Sequence, residues 1–191
     1  MSTFEEVVKG RRSIGKVKAD PVPKELVEKI IEAATWAPNH FRTEPWRFIA
    51  MTGEGRRVLG NAYLDISSAG WGDIGEEERA QRAEKEIAKA YRAPVVIAAI
   101  CSPSDEPRAD LREELAASHA AVQNLLLAAH ANGLGAVWRT GDPAYHPKTK
   151  QALGLAEREQ VVGLIFVGYP DMPQPVVPRT PAADKTTWLE G

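Results

Sequence analysis

The sequence predicts a mixed fold in which helices alternate with short buried strands, closed by an irregular proline-rich arm. Three observations carry this. WRFIAMT (46–52), APVVIAAIC (93–101), GAVWRTG (135–141) and QVVGLIFVGYP (160–170) are short apolar runs, the first two rich in aromatic and β-branched residues, which favours strands over helices. The segments around them place apolar residues at helical spacing. Beyond Tyr169 stand Pro170, Pro173, Pro175, Pro178 and Pro181, which exclude regular helix or central strand from the end of the chain.

In chain order, TFEEVVKG (3–10) sets Phe4, Val7 and Val8 on one face behind a Ser/Thr cap and stops at Gly10. The basic stretch RRSIGKVK (11–18) therefore follows a helix end. Leu26, Val27, Ile30, Ile31 and Ala34 predict a helix over 23–37, ended by Pro38. Helices are expected over 54–70 and 75–91, the latter so charged that it should face solvent. Strand 93–101 reads as fully buried. From Leu111 to Asn132 apolar residues occupy most of a helix circumference, stopped by Gly133, so this helix should be buried on several sides. A short helix is expected near 146–154. An arm ending in Trp188 and Leu189 is expected to lie on another surface.

At 191 residues the chain suffices for one domain, or for a subunit that completes its core by pairing. A net charge of −2 argues against a nucleic-acid binder and leaves room for a small anionic ligand in a local basic pocket. Cys101, the only cysteine, excludes a disulfide framework and a cysteine-based zinc site and agrees with a reducing compartment. The acidic N-terminus lacks a leader pattern and no run is long enough for a membrane span, so a soluble, cytoplasmic protein with no membrane or nucleic-acid partner is expected.

The dinucleotide fingerprint fails: GEGRRV (53–58) has Val58 in place of the third glycine, and GLGAVW (133–138) stands after a helix and before a strand, the reverse of the required order. Walker, G-x-S-x-G and H-E-x-x-H motifs are absent. His40, His119, His130 and His146 are scattered, and the two on the apolar helix read as core or interface residues, so no metal site is expected.

What remains is a constellation. RRS follows the first helix; A-P-x-x-x-x-x-x-P-W (37–46) enters the first strand; G-L-G-x-x-W-R-x-G (133–141) follows the long apolar helix; VGLIFVGYP and a Pro/Arg-containing tail close the chain. Nearly throughout, and in order, this resembles the nitroreductase family, and within it the short NAD(P)H-dependent members. The resemblance implies an α+β subunit with a mostly antiparallel central sheet flanked by helices, one domain over 1–191 with 171–191 as an extended arm exchanged in a homodimer, and FMN at two sites built from both chains. Arg11, Arg12 and Ser13 would take the phosphate, a role suited to guanidinium forks and a hydroxyl at a chain reversal, with Arg179 as a further partner. By similarity, His40 and Glu44 of the other subunit's loop would face the cofactor while Trp46 packs. The backbone of Val137 and Trp138 and the side chain of Arg139 would run along the ring, where positive charge stabilises the reduced flavin. The chain departs from many members at Gly15, Arg42 and Glu44, where a basic residue, Asn and Gln are common; Lys16 is a candidate for the missing charge.

The implied function is hydride transfer from NAD(P)H through FMN to an oxidised acceptor such as a nitroaromatic or quinone, with no protein side chain doing covalent chemistry. The segment around 65–91, Phe41 and Trp71 are candidate walls of the acceptor slot. Two rivals remain: a flavin-sequestering protein with little turnover, and a cofactor-free helical dimerisation module.

Overall fold

A computed structural model of the chain describes residues 3–191. The elements run α1 (Phe4–Gly10), α2 (Lys24–Thr35), β1 (Trp46–Thr52), α3 (Arg57–Ser68), α4 (Glu76–Ala88), β2 (Val95–Cys101), α5 (Leu111–Ala131), β3 (Gly135–Arg139), α6 (Asp142–Tyr145), α7 (Pro147–Ala152) and β4 (Gln160–Gly168). The four strands form one antiparallel sheet in the order β1-β2-β4-β3, the α+β arrangement expected.

Local chemistry explains the boundaries. Thr3 caps α1 in a capping box with Glu6, while Ser2 lies outside the described residues. β2 begins at Val95, two residues later than expected, because Pro94 has no N–H to give to the ladder. β3 ends at Arg139 because Gly141, at φ 98°, turns the chain into α6, a short helix the periodicity does not reveal.

Helices cover both faces of the sheet, so β2 is buried from end to end. Its odd positions (Val95, Ile97, Ala99, Cys101) pack with Val27 and Ile30 of α2 and Val122 and Leu125 of α5. Its even positions (Val96, Ala98, Ile100) pack with Leu59 and Tyr63 of α3 and with Leu164 and Phe166 of β4. A bulge opposite Ala99/Ile100 resets the alternation of β4 near Val162. As expected from its charge, α4 buries no residue.

The long helix differs from expectation within one chain. α5 buries one side only, through residues such as Ala117, Ala121, Val122 and Leu125, and leaves a stripe from Ala116 through Ala120, Gln123 and Leu127 to Ala131 open or half-open. The arm beyond Pro170 is mostly exposed too, with Trp188 at 77% and Leu189 at 94%. No helix among the described residues is long and apolar enough to cross a membrane.

Candidate functional site

α1 ends against the C-terminal end of α5. A Cβ at Gly10 would stand 2.8 Å from Nε2 of His130, so any larger residue there would have to push the imidazole aside. The chain then reverses and joins the free edge of β3: the Ile14 N–H donates to the Ala136 carbonyl at 2.9 Å, beside a parallel bridge between Ser13 and Ala136. RRS is thereby anchored at the start of an edge strand. Since Ala136 presents its carbonyl to that edge, strand alternation sends the N–H and C=O of Trp138 the same way, past the last residue that pairs there.

Three guanidiniums lie within electrostatic reach of one another at this corner. Burial is the first cause that pulls the Arg11 pKa below its ordinary value; the charges of Arg12 and then Arg179 add to it. Arg12 is also a tether. Its Nε donates to the Pro175 carbonyl at 3.1 Å and its Nη1 to the carbonyls of Lys9 (2.6 Å) and Arg11 (2.8 Å), while Gln174 donates to the Gly10 carbonyl. These bonds lead the arm past the corner and bring Arg179 to it. Arg11 makes no side-chain hydrogen bond or ion pair among the described residues, and Ser13 is exposed. An unpaired guanidinium among like charges is chemically suited to an anion.

The two faces of β3 serve different ends. The Trp138 indole turns toward α5, donates to the Val162 carbonyl at 3.2 Å and fills the space over Gly163, where a Cβ would fall 2.0 Å from Nε1. Val137 and Arg139 face the other way, into a cavity of about 550 Å³ between the sheet, α3 and the end of α4, with Arg139 5.7 Å over the Phe166 ring.

Loop 39–44 lies elsewhere. His40 Nδ1 is 2.7 Å from Glu113 at the start of α5, its ring stacks on Phe41 at 3.7 Å, and Arg108 covers Phe41 at 4.5 Å. Phe41, Arg42 and Glu44 all hold positive φ (55°, 56° and 45°), a cluster of strained non-glycine residues on the surface. Glu113 and His130 are separated by most of α5, about 25 Å at 1.5 Å per residue. Thus Arg11, Arg12, Ser13, Arg179 and β3 converge, whereas His40 and Glu44 stay apart from them in the same chain.

The model of the nitroreductase family matches residues 8–169. The chain belongs to the nitroreductase family. Among curated relatives, YfhC of Bacillus subtilis (strain 168), assigned by name to the NAD(P)H nitroreductases, is 35% identical over 187 residues, covering 97% of this chain and 94% of that protein. YdjA of Escherichia coli (strain K12), assigned likewise, is 28% identical over 168 residues, 87% and 88% of the two chains. A nitroreductase-like protein of Bacillus cereus superposes with a TM-score of 0.84 at 33% identity, over 100% of this chain and 98% of that one. A nitroreductase of Desulfovibrio desulfuricans in complex with FMN superposes with a TM-score of 0.75 at 26% identity, over 100% and 98%.

In this nitroreductase-family chain the candidate walls fall partly into place. Ile66, Ser67, Glu86 and Lys89 line the cavity, and Trp71 Nε1 donates to the Ser67 hydroxyl at 3.0 Å. Phe41 stays with His40. Lys16 is held in an exposed ion pair with Asp171 at 2.8 Å, and Trp46 packs against the core as expected. Two residues escape sequence reasoning. Arg92, just before β2, lines the cavity and an adjoining hollow beneath Ile14, Gly15 and Val17. Tyr63 of α3 is buried beside it, and burial pushes its hydroxyl up to about 12 despite the nearby charges of Arg139 and Arg92. No local motif marks either, because an arginine near a strand reads as an ordinary solvent residue and a tyrosine in an amphipathic helix as an ordinary packing residue. Cys101 is buried, and that burial raises its thiol pKa, which keeps it out of the site.

Proposed function

We propose that this chain is an FMN-dependent NAD(P)H oxidoreductase that reduces a small oxidised acceptor, a nitroaromatic or a quinone, and that it acts as one domain over 1–191 in a cytoplasmic homodimer. The observation that carries this reading is the corner where Arg11, Arg12 and Arg179 crowd together beside Ser13 at the head of the open β3 edge. These residues fit a flavin mononucleotide. Arg11, Ser13 and Arg179 would take a terminal phosphate, and the free backbone of Trp138 would meet the polar edge of a ring lying along β3. When bound, FMN supplies the hydride chemistry, accepting from NAD(P)H and passing to the acceptor. The protein's share is to bind the phosphate, orient the ring on a rigid strand and place the positive charge of Arg139 beside it.

The separated loop supports the pairing. An antiparallel partner laid along the open stripe of α5 would bring the partner's loop 39–44 to this chain's arginine corner, because the two features sit at opposite ends of the same helix. It would also cover Leu127 and offer the arm a surface for Trp188 and Leu189.

The test is direct. Purified protein should carry flavin that denaturation releases as FMN, and stopped-flow mixing with NADH or NADPH should bleach it. Released FAD would contradict the single-phosphate corner, and bound FMN that neither nucleotide reduces would leave a flavin-sequestering protein.

A further inference from the structure

The cavity beside β3 carries a charge that the flavin reading does not use. Part of its wall is apolar, formed by Tyr63, Ile66, Val137, Leu164 and Phe166. Of its cations, Lys89 is neutralised, since its Nζ lies 2.6 Å from both carboxylate oxygens of Glu86. Glu86 is the only acid on the wall. The side chains of Arg92 and Arg139, both exposed at the rim of the cavity, make no hydrogen bond or ion pair among the described residues, and Arg139 lies 5.7 Å over the Phe166 ring. Tyr63, 9% exposed, sits within the influence of both arginines, and its hydroxyl stays protonated at any physiological pH, a donor.

We propose that this cavity is the acceptor pocket and that it selects planar aromatic acceptors bearing an anionic substituent, a ring carboxylate above all, with Arg92 as the residue that sets the preference. The proposal rests on the flavin reading above. A ring carboxylate matches the guanidinium fork of Arg92 in shape and charge, Tyr63 donates to the same group, and the ring lies against Val137 and Phe166. Val137, Trp138 and Arg139 also line the cavity, so it borders the strand along which the flavin ring would lie.

The experiment compares benzoate with benzamide, isosteres that differ in charge and are not reduced, by calorimetric titration of the flavin-loaded protein. Benzoate should bind about tenfold or more tightly than benzamide. Arg92→Gln should remove most of that ratio and Arg92→Lys should keep part of it. In turnover, the ratio of kcat/KM for 4-nitrobenzoate over 4-nitrobenzamide should exceed one and fall toward one in Arg92→Gln. Equal binding of the two isosteres, or a preference that survives Arg92→Gln, overturns the proposal. So does an Arg92→Gln variant that slows both acceptors equally while lowering the flavin midpoint potential, since the charge would then serve the cofactor. Protein that cannot be loaded with FMN would refute the flavin reading instead, and the same titration on the colourless protein would still decide whether the pocket prefers the anion.

Discussion

The two ends of α5 meet opposite difficulties. At its N-terminal end the exposed charges are mostly paired: Asp110 caps the helix and holds Arg112, Glu113 holds His40, and Glu106 holds Arg108. What is unfavourable there is the backbone, with Phe41, Arg42 and Glu44 in the left-handed region, together with buried Glu114, whose Oε2 accepts from the Ser104 N–H while its Oε1 has no partner among the described residues. At the C-terminal end the side chains carry the strain, as half-buried Arg11 is crowded by Arg12 and Arg179. The favourable dipole at a helix C-terminus eases that crowding without neutralising it. Neither cost serves the isolated chain. Each falls where the proposed dimer would place one half of a shared cofactor site, so on that proposal the site is prepared in two pieces.

The sharpest way to break this comparison is to keep the two ends from meeting. Leu127→Glu puts a charge on the open stripe of α5, where a single chain tolerates it and an interface does not. Sedimentation should show a monomer and flavin fluorescence should show FMN released, because loss of the partner removes half of each site. A monomer that keeps FMN would overturn the shared site. Next in size, Arg11→Ala removes the unpaired cation. Charge-assisted hydrogen bonds are worth about 1.5–3 kcal/mol, so FMN affinity measured by fluorescence titration should fall about ten- to a hundredfold. Melting of the flavin-free protein should hold or rise, since the loss relieves like-charge crowding.

At the other end, Arg42→Gly should stabilise the flavin-free protein by about 1 kcal/mol, seen as a higher melting temperature, because glycine accepts a positive φ without a Cβ clash. An unchanged melt would show that the loop relaxes in solution. The smallest effects separate the ends by pH. His130 has its pKa held below the ordinary value by burial first and then by Arg11 and Arg12, so the unfolded chain takes up a proton before the folded one. Stability should therefore fall as pH drops below about 6.5, and the fall should shrink with FMN bound, whose phosphate would favour the charged imidazole. Asp110 is held at about 2 by its hydrogen bonds from Arg112, so its contribution is complete above the unfolded carboxylate value and is lost as pH falls toward 2. Denaturant midpoints of His130→Asn and Asp110→Asn across pH should show two separate windows.

Much of the fold was legible because it is written in local periodicity. The apolar spacing of Val27, Ile30 and Ala34 marks α2, the unbroken run from Val95 to Cys101 marks a strand covered on both faces, and Gly133 marks the end of α5. That Arg11, Arg12 and Ser13 follow directly on a helix end was legible because Thr3, Glu6 and Gly10 mark the bounds of α1. The short helix Asp142–Tyr145 was not, since its four residues offer no period to read. Arg12 shows the limit at a single residue: sequence supplies its neighbour Arg11, and only the fold supplies the Pro175 carbonyl that engages it.

By itself the sequence determined where most of the helices and strands lie, which residues are apolar on which face, and the motif order that marks the family, because backbone propensity and side-chain period act over a few neighbours. Tertiary structure alone decided that Arg92 and Tyr63 share a cavity with Arg139, and that loop 39–44 is strained and, within one chain, lies far from the arginine corner. Those facts depend on contacts between residues far apart in the chain, and their energies arise from burial and charge proximity, which no local pattern encodes.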